Sequence, residues 1–354
     1  MPPPIAAVEP PRVAVKPRAF ASPTPARVTT YETFYGLDEK PFAPEPDLRF
    51  LYHSSAHDRV IQDLVTSVGK RDAVAVLTGP SGIGKTTLCR ALVDQLDRRT
   101  LVSFVADAPG SPEALLSTLL VDFGVVSAED MSAGRLAAAS RADLSSALRD
   151  FLGSLAVLQA SALLIVDDAH RLADPVLQEL RSLSDIAATG KLLQIVLAGE
   201  PPLLRQLRSA ELRPMDERVA LKTELGPLEQ DELPGYVAHR LAVAGRGERV
   251  GFSEVALRRI FSLSGGVPGV INRLCDRALT LGSKISASQI DGDFVDDASQ
   301  QLGLSSPDAG GAWRDRIAIV LVMLALMLAG AGAASWVFRA PLGRALAQWH
   351  ATGR

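Results

Sequence analysis

Apolar runs of strand length alternate with amphipathic stretches through the middle of the chain. The apolar runs cover residues 73–78, 100–106, 162–167, 192–199 and 219–225. Between them, apolar residues recur at the three- and four-residue spacing of helices. Alternating strands and helices are typical of a parallel sheet that is covered by helices on both faces. The pattern therefore predicts an α/β fold.

A helical region follows the last of these runs. Beyond Pro227 the strand-like pattern stops, and helical periodicity covers about 229–244, 253–263 and 270–281. We expect residues 57–227 to form the core that contains the sheet. Residues 228–300 are expected to form a smaller helical domain.

The chain before the core consists of two segments that differ in amino-acid composition. Residues 1–30 contain repeated prolines among alanine, valine and basic residues, which favours an extended, unpacked tail. Binding to a proline-recognising partner is the alternative use of this tail. Residues 31–56 instead bring several aromatic side chains close together in sequence, including Phe34, Tyr35, Phe42, Phe50 and Tyr52. We expect this second segment to pack on the core.

Residues 317–338 carry no charged side chain. A run of about 22 such positions suits a helix that crosses a hydrocarbon layer of about 30 Å. A buried core helix is the alternative, but core helices rarely run so long without a polar face. Trp336 and the flanking arginines, Arg314, Arg316 and Arg339, suit anchors at a membrane interface. We predict a linker at 301–316, a transmembrane helix at 317–338 and a short tail at 339–354, with no secretory signal at the proline-containing start.

Composition narrows the classes of function. The chain has 354 residues, of which 47% are hydrophobic and 22% charged, so it is not a disordered protein. Its net charge of -3 gives no overall basic field for nucleic acid, although a local basic face stays open. Cys89 and Cys275 have no metal-ligand or CxxC spacing. We interpret both as buried, reduced thiols in helices.

A phosphate-binding loop follows the first predicted strand and opens a helix. The sequence GPSGIGKTT matches the pattern GxxxxGK[ST] in the strand-to-helix context that the pattern requires. Its glycines let backbone N–H groups converge on phosphates, and the lysine adds a charge for the β and γ phosphates. The expected nucleotide-binding residues are Gly79, Pro80, Ser81, Gly82, Ile83, Gly84, Lys85, Thr86 and Thr87, with the Thr86 hydroxyl also offered to Mg²⁺.

The third predicted strand ends in two carboxylates. The stretch LLIVDDAH places Asp167 at the end of an aliphatic run, where a carboxylate can hold Mg²⁺ or its water. Asp168 follows at the position where many ATPases with a phosphate-binding loop of this type have a glutamate that polarises the attacking water. Because aspartate is shorter by one methylene, its reach to the water is reduced, and a general base must come within about 2.6–3.2 Å of the proton that it takes. Capping of the following helix is the alternative role of Asp168.

These features occur together in the AAA+ P-loop ATPases of the general secretion pathway protein A (ExeA-type) family, which the chain resembles over roughly 31–299. The resemblance is carried by FYGLDEKPFAPEPDLRFLYHSSAH, GPSGIGKTTL, SPEALLSTLLVDFG, VLQELRSLSDI, LLQIVLAGEPPLL, HRLAVAG and GGVPGVINRLCDRAL. It implies an AAA+ core with a helical lid at 228–300, and ATP with Mg²⁺ as ligands. It also implies an inner-membrane ATPase that works with a partner membrane protein in assembling the type II secretion secretin.

The resemblance also implies roles for further residues and shows where this sequence differs from the family's motifs. Glu200 takes a sensor position where the family usually has glutamine, and Arg218 takes the place of an arginine that reaches a neighbouring subunit's γ phosphate. Arg213 is the other candidate for that arginine, and a solvated surface role is open for both. The family's GxPR motif reads GVPG here, so its sensing arginine is replaced by Gly269. Arg273, one turn further along the helix, is a possible substitute that could equally face solvent.

The sequence therefore predicts an ATPase of the bacterial inner membrane with a single membrane span and a cytoplasmic ATPase domain. We expect catalytic roles for Asp168, Glu200 and Arg218, assembly into a homo-oligomer, and an inner-membrane secretion-system partner. Only 16 residues follow Phe338, so the family's periplasmic peptidoglycan-binding domain is not expected. We place the tail outside, although the positive-inside rule weakly favours a cytoplasmic tail. A DNA-associated regulator of the transposition type and a nucleotide-dependent scaffold with weak hydrolysis are the alternatives.

Overall fold

The computed structural model describes residues 30–127, 129, 139–245 and 250–304. Several sequence predictions lie outside these ranges. They are the proline-rich tail, all but the first residues of the linker after residue 300, the membrane helix at 317–338 and the tail at 339–354.

A five-stranded parallel sheet forms the centre of the core. Its strands lie in the spatial order β2-β3-β4-β1-β5. Each strand begins and ends within a residue or two of the predicted apolar runs. The strands are β1 (Val74–Thr78), β2 (Thr100–Val105), β3 (Ser161–Val166), β4 (Leu193–Gly199) and β5 (Val219–Glu224).

Helices cover both faces of the sheet, as the alternation predicts. Neighbouring residues of β3 enter different apolar layers: Leu164 lies in one and Leu163 in the other. The second layer contains apolar residues of α2 (Ser55–Gly69) and α3 (Lys85–Asp94). The first contains residues of α4 (Pro112–Asp122), α5 (Arg141–Val157), α6 (Asp174–Gly190), α7 (Pro202–Leu207) and α8 (Arg213–Asp216). Because the strands are covered on both sides, β1, β3 and β4 are buried at every residue.

The chain before the core forms a short helix, α1 (Tyr31–Tyr35), and a 3-10 turn at Leu48–Phe50. Tyr35, Phe42 and Phe50 are buried, as expected for the aromatic segment. The Tyr35 hydroxyl donates a hydrogen bond to the backbone oxygen of Ala287, in the helical region. This segment therefore packs on the helical region as well as beside the core.

The region after the core contains α9 (Glu232–Val243), α10 (Glu254–Ser264), α11 (Pro268–Lys284) and α12 (Gly292–Gln301). It also contains β6 (Gly251–Phe252) and β7 (Gln289–Ile290), which pair in parallel. The expectation of no further strands was wrong, because two-residue strands are too short to give an alternating pattern. The chain divides into two compact units, Met1–Val295 and Asp296–Arg354. The sheet and the helices α9–α11 belong to the first unit.

Among the described residues, no helix is both long and apolar enough to cross a membrane. The predicted membrane helix at 317–338 is not among them, and it stays a prediction.

Candidate functional site

The predicted phosphate loop joins β1 to α3 in a tight turn. Gly82 and Gly84 have φ values of +74° and +107°, a region that side chains with a Cβ rarely enter. A Cβ added to Gly79 would lie 2.8 Å from the backbone oxygen of Leu225. The three glycines are thus required by the path of the backbone, which leaves the loop's N–H groups available at the start of α3.

Lys85 places a cation at the centre of this loop. Its side chain is buried, and its Nζ donates hydrogen bonds of 3.0 Å to the backbone oxygens of Gly79 and Pro80. Burial lowers the pKa of Lys85, whereas the charges of Asp168, Glu200 and Asp167 raise it. The three predicted carboxylates therefore lie close enough to this lysine for their charges to act on it.

Thr86 and Asp167 meet although 81 positions separate them in the sequence. The Thr86 hydroxyl donates a hydrogen bond of 2.5 Å to Asp167 Oδ2, and Asp167 is 5% exposed. A hydroxyl beside a buried carboxylate is a pair of hard oxygen ligands, which fits Mg²⁺. The described residues contain no group of three or more His, Cys, Asp or Glu side chains that could hold a metal ion. Mg²⁺ is usually bound by one or two carboxylates together with phosphates and waters, and Asp167 supplies one such carboxylate beside the Thr86 hydroxyl.

Asp168 has an unusual backbone and an exposed side chain. Its φ is +47°, in the left-handed region, and its carboxylate lies 3.7 Å from the guanidinium of Arg171. The side chain makes no capping hydrogen bond to the 3-10 turn Ala169–Arg171. The alternative role as a helix cap was therefore wrong. Asp168 lines the cavity beside the phosphate loop.

Glu200 follows β4 and lies against His170. The Glu200 N–H donates a hydrogen bond of 3.3 Å to His170 Nδ1, and its Oε1 lies 3.7 Å from His170 Nε2. Sequence reasoning missed this histidine as a partner. His170 is the last residue of the motif LLIVDDAH, so the sequence places it just after β3. Only the fold shows that β3 and β4 end side by side.

Arg218 lies at the amino ends of the parallel strands, whereas the phosphate loop follows the carboxyl end of β1. It precedes Val219, which pairs with Val74 at the start of β1, so it is roughly 15 Å from the end of that strand. Its guanidinium contacts Asp185 Oδ1 at 2.6 Å and the backbone oxygen of Pro214 at 2.7 Å. Arg218 is therefore not part of the phosphate site of the same chain. The exposed Arg213 pairs with its neighbour Glu217.

The helix α11 brings the lid against the phosphate loop. The Gly269 N–H donates a hydrogen bond of 2.8 Å to the backbone oxygen of Gly82, and a Cβ at position 269 would lie 3.0 Å from Gly82 Cα. Arg273, one turn further on, lines the same cavity and is exposed. Among the described residues no hydrogen bond or ion pair involves its side chain. The glycine at 269 thus permits a backbone contact that an arginine would obstruct.

A segment that we call the strap, residues 40–52, forms another wall of the cavity. Arg240 of α9 contacts the strap at two points. Its Nε donates a hydrogen bond of 2.5 Å to the backbone oxygen of Pro41, and its guanidinium lies 4.9 Å from the ring centre of Phe50. Its Nη1 also donates to the Tyr236 hydroxyl. Sequence reasoning missed Arg240. The pattern that could have indicated it is a charged residue at a position on the buried, otherwise largely apolar face of α9.

The strap, the phosphate loop and the lid together enclose a cavity of about 620 Å³. That volume lies within the usual range of roughly 300–1,000 Å³ for small-molecule sites. The buried His57 also lines it, with Nδ1 at 2.7 Å from the Ser54 hydroxyl. Burial lowers the pKa of His57, so the ring is neutral beside the loop at neutral pH. The cavity has the size, the cation and the oxygen ligands for a nucleotide with Mg²⁺.

Comparison with known proteins gives one family model and one curated relative with clear similarity. Residues 68–207 match the family model described as AAA domain. General secretion pathway protein A of Aeromonas hydrophila is 31% identical over 302 residues, which cover 85% of this chain and 53% of that protein. The chain thus spans about half the length of this relative.

Solved structures with the same fold include a Cdc6p protein and an ORC1 protein. Cdc6p from Pyrobaculum aerophilum has a TM-score of 0.58 at 17% identity and covers 75% of this chain and 71% of its own. The ORC1 protein of Aeropyrum pernix, solved in complex with DNA, has a TM-score of 0.55 at 14% identity, with coverage of 74% and 69%. At these identities the similarity shows the fold alone.

Proposed function

Because the chain is an AAA ATPase related to General secretion pathway protein A, we propose that it is anchored in the bacterial inner membrane by residues 317–338 and uses ATP to help assemble an envelope secretion or pilus-like apparatus. The observation that carries the ATPase part is the cavity that the phosphate loop, Lys85 and the lid enclose. The relationship to General secretion pathway protein A supports the secretion part.

In this proposal each part of the site has one task. The loop N–H groups and Lys85 bind the phosphates, and Thr86 and Asp167 hold Mg²⁺, which supplies charge neutralisation when bound. The strap and α9 enclose the remainder of the nucleotide. Bound phosphates would also act on the lid, since Gly82 of the loop is hydrogen-bonded to Gly269. ATP binding and hydrolysis would thereby be converted into movement of α11.

The membrane part is tested with the full chain in a bacterial host. We expect the chain to sediment with inner membranes and to resist extraction by high salt, and we expect a variant without residues 317–338 to be in the soluble fraction. A reporter fused after Arg354 should be active only outside the cytoplasm. Soluble native chain, or reporter activity only in the cytoplasm, would contradict the anchoring or the topology. Salt-sensitive binding of duplex DNA by residues 1–312 would instead support a DNA-associated regulator.

We further propose that Arg218 completes the site of a neighbouring copy, because it lies too far from its own phosphate loop to act there. Arg218→Ala should lower the ATP turnover rate by on the order of 1,000-fold, while Arg213→Ala, a matched exposed arginine, should lower it little. Mixing Arg218→Ala with Lys85→Ala should restore turnover, since each copy supplies what the other lacks. Turnover that mixing leaves unchanged would contradict action between copies.

A further inference from the structure

We propose that the amino ends of the parallel strands carry a docking surface for an anionic lipid bilayer, centred on the exposed apolar pair Val157 and Leu158. This inference goes beyond the proposed anchoring by residues 317–338, because it concerns a second contact, which the ATPase core itself makes with the membrane. It also determines which end of the sheet faces the lipid.

Val157 and Leu158 are the apolar part of this surface. Val157 is the last residue of α5, and Leu158 follows it before β3 begins. Their side chains are 86% and 67% exposed, although Leu155, two residues before Val157, is buried in the core. Single exposed apolar residues are common on protein surfaces. Two adjacent ones at the end of a helix form a small apolar projection, which would gain free energy by leaving water.

The start of β3 lies between two strand ends that carry basic residues. The Ser161 N–H donates a hydrogen bond of 3.1 Å to the backbone oxygen of Arg99, at the start of β2. The Ala162 N–H donates 2.7 Å to the backbone oxygen of Leu192, the residue after Lys191. Arg99 and Lys191 therefore lie on either side of the segment that joins the apolar pair to β3.

Arg71 connects the apolar pair with the start of β1. Its Nη2 donates a hydrogen bond of 3.4 Å to the backbone oxygen of Gln159, the residue after Leu158. Among the described residues, no ion pair involves the basic side chains at this end of the sheet. All of them are exposed except Arg71, which is half-buried. This group, which we call the basic rim, consists of Lys70, Arg71, Arg98, Arg99 and Lys191.

Acidic side chains at the same end are fewer, and two of them already accept hydrogen bonds within the chain. They are Asp72, Asp94 and Asp97. Asp72 accepts the Ser67 hydroxyl at 2.8 Å, and Asp97 accepts the Arg99 N–H at 3.2 Å. The surface is thus net positive, although the whole chain carries a net charge of -3. A positive surface is complementary to the anionic lipids of a cytoplasmic leaflet.

The combination of an apolar pair with cations favours a lipid surface over other partners. A stable protein interface usually buries about 800 Å² on each partner, far more than two side chains supply. Nucleic acid would use the cations but would leave the apolar pair in water. At a bilayer the cations lie among the phosphate headgroups while Val157 and Leu158 enter the interface. The rim also offsets the dipoles of helices that end here, but that role does not account for the exposed pair.

Docking in this way orients the core. The phosphate loop follows the carboxyl end of β1, so it lies at the end of the sheet that points away from the lipid. Arg218 precedes β5 at the outer edge of the sheet, whereas the rim belongs to the other four strands, so lipid contact leaves Arg218 free for a neighbouring copy. Because two apolar side chains give a small contact, we expect docking only while the anchor keeps the core near the lipid.

A dye attached to the apolar pair tests the docking in the full chain. Cys89 and Cys275 are buried, so a thiol-reactive dye should label only the cysteine of Val157→Cys. We reconstitute the labelled chain in vesicles of phosphatidylcholine alone and of phosphatidylcholine and phosphatidylglycerol in equal parts. The emission should shift to the blue only in the anionic vesicles, and added salt should reduce the shift by screening. The matched control is Val255→Cys, an exposed valine of α10, whose dye should not shift.

Charge reversal tests the basic rim. In the labelled chain, Arg98→Glu together with Lys191→Glu should abolish the blue shift. The control pair, Arg205→Glu with Arg208→Glu, reverses two exposed arginines beyond the carboxyl end of β4 and should keep it. All these variants should bind a fluorescent ATP analogue with native affinity, which shows that they are folded. A blue shift that survives reversal of the rim would overturn the inference.

Flotation of the same vesicles separates docking from the proposed anchoring. Chain that floats with both kinds of vesicle but shows no dye shift would leave the anchoring intact and overturn the docking. Flotation with anionic vesicles alone, together with the shift, would support the docking and contradict the anchoring. A shift of equal size in neutral vesicles would indicate contact between copies and overturn the inference. Duplex DNA binding that is lost on reversal of the rim, without any shift in vesicles, would make this a nucleic-acid surface instead.

Discussion

Replacing Lys85 by alanine is expected to weaken ATP binding by roughly 10- to 100-fold, the range for losing hydrogen bonds to a charged group. Lys85 is the buried cation of the loop, and no other part of the loop supplies a positive side chain. After its removal the loop offers the phosphates only its backbone N–H groups, with three carboxylates nearby. Titration of the full chain with a fluorescent ATP analogue measures the effect.

The control for this change is Lys70→Ala, which removes an exposed lysine after the end of α2. It should leave the affinity for the analogue within about twofold, as is usual for surface positions away from a site. Equal affinities of the native chain and Lys85→Ala would mean that the cavity is not the nucleotide site.

Installing the family's arginine at Gly269 is expected to weaken the site instead of improving it. The new Cβ would lie 3.0 Å from the Cα and the oxygen of Gly82, which belong to backbone and move only with the loop. The lid must then shift away, and the hydrogen bond from Gly269 to Gly82 is lost. We expect Gly269→Arg to lower the free energy of unfolding by about 1–3 kcal/mol, the usual cost of overpacking, and to reduce affinity for the ATP analogue.

Thermal unfolding and the same titration measure this second effect. Gly251→Arg is the matched control, because Gly251 also lies in the lid and a Cβ there would meet no atom within 4 Å. Gly269→Arg that binds ATP more tightly than the native chain would show that the lid accommodates the arginine and that the contact with the loop is dispensable.

Local patterns predicted the strands of the sheet well. The strands β1, β3 and β4 were recognisable because both of their faces are buried, so each reads as a nearly continuous apolar run. Thr86 and Asp167 were predicted to share a site because each belongs to a recognisable motif, and their contact at 2.5 Å confirms that they meet. The capping role considered for Asp168 was wrong, since capping depends on a backbone angle that sequence does not specify.

Residues that act through contacts between distant segments could not be predicted. His170 and Glu200 are 30 positions apart, and their contact depends on the order of strands in the sheet. Arg240 and the backbone oxygen of Pro41 are 199 positions apart, and neither belongs to a phosphate-binding motif. In both cases the residue types are ordinary, and only their position in the fold gives them a role.

The position of the strap determines how short a fragment of the chain can be and still bind nucleotide. A fragment limited to the matched AAA domain, 68–207, would keep Lys85 and Asp167. It would lose β5, the strap, and the helices α9 and α11 that complete the cavity. Autonomous nucleotide binding therefore requires a fragment that starts near Tyr31 and extends through α11, well beyond the limits of the recognisable domain.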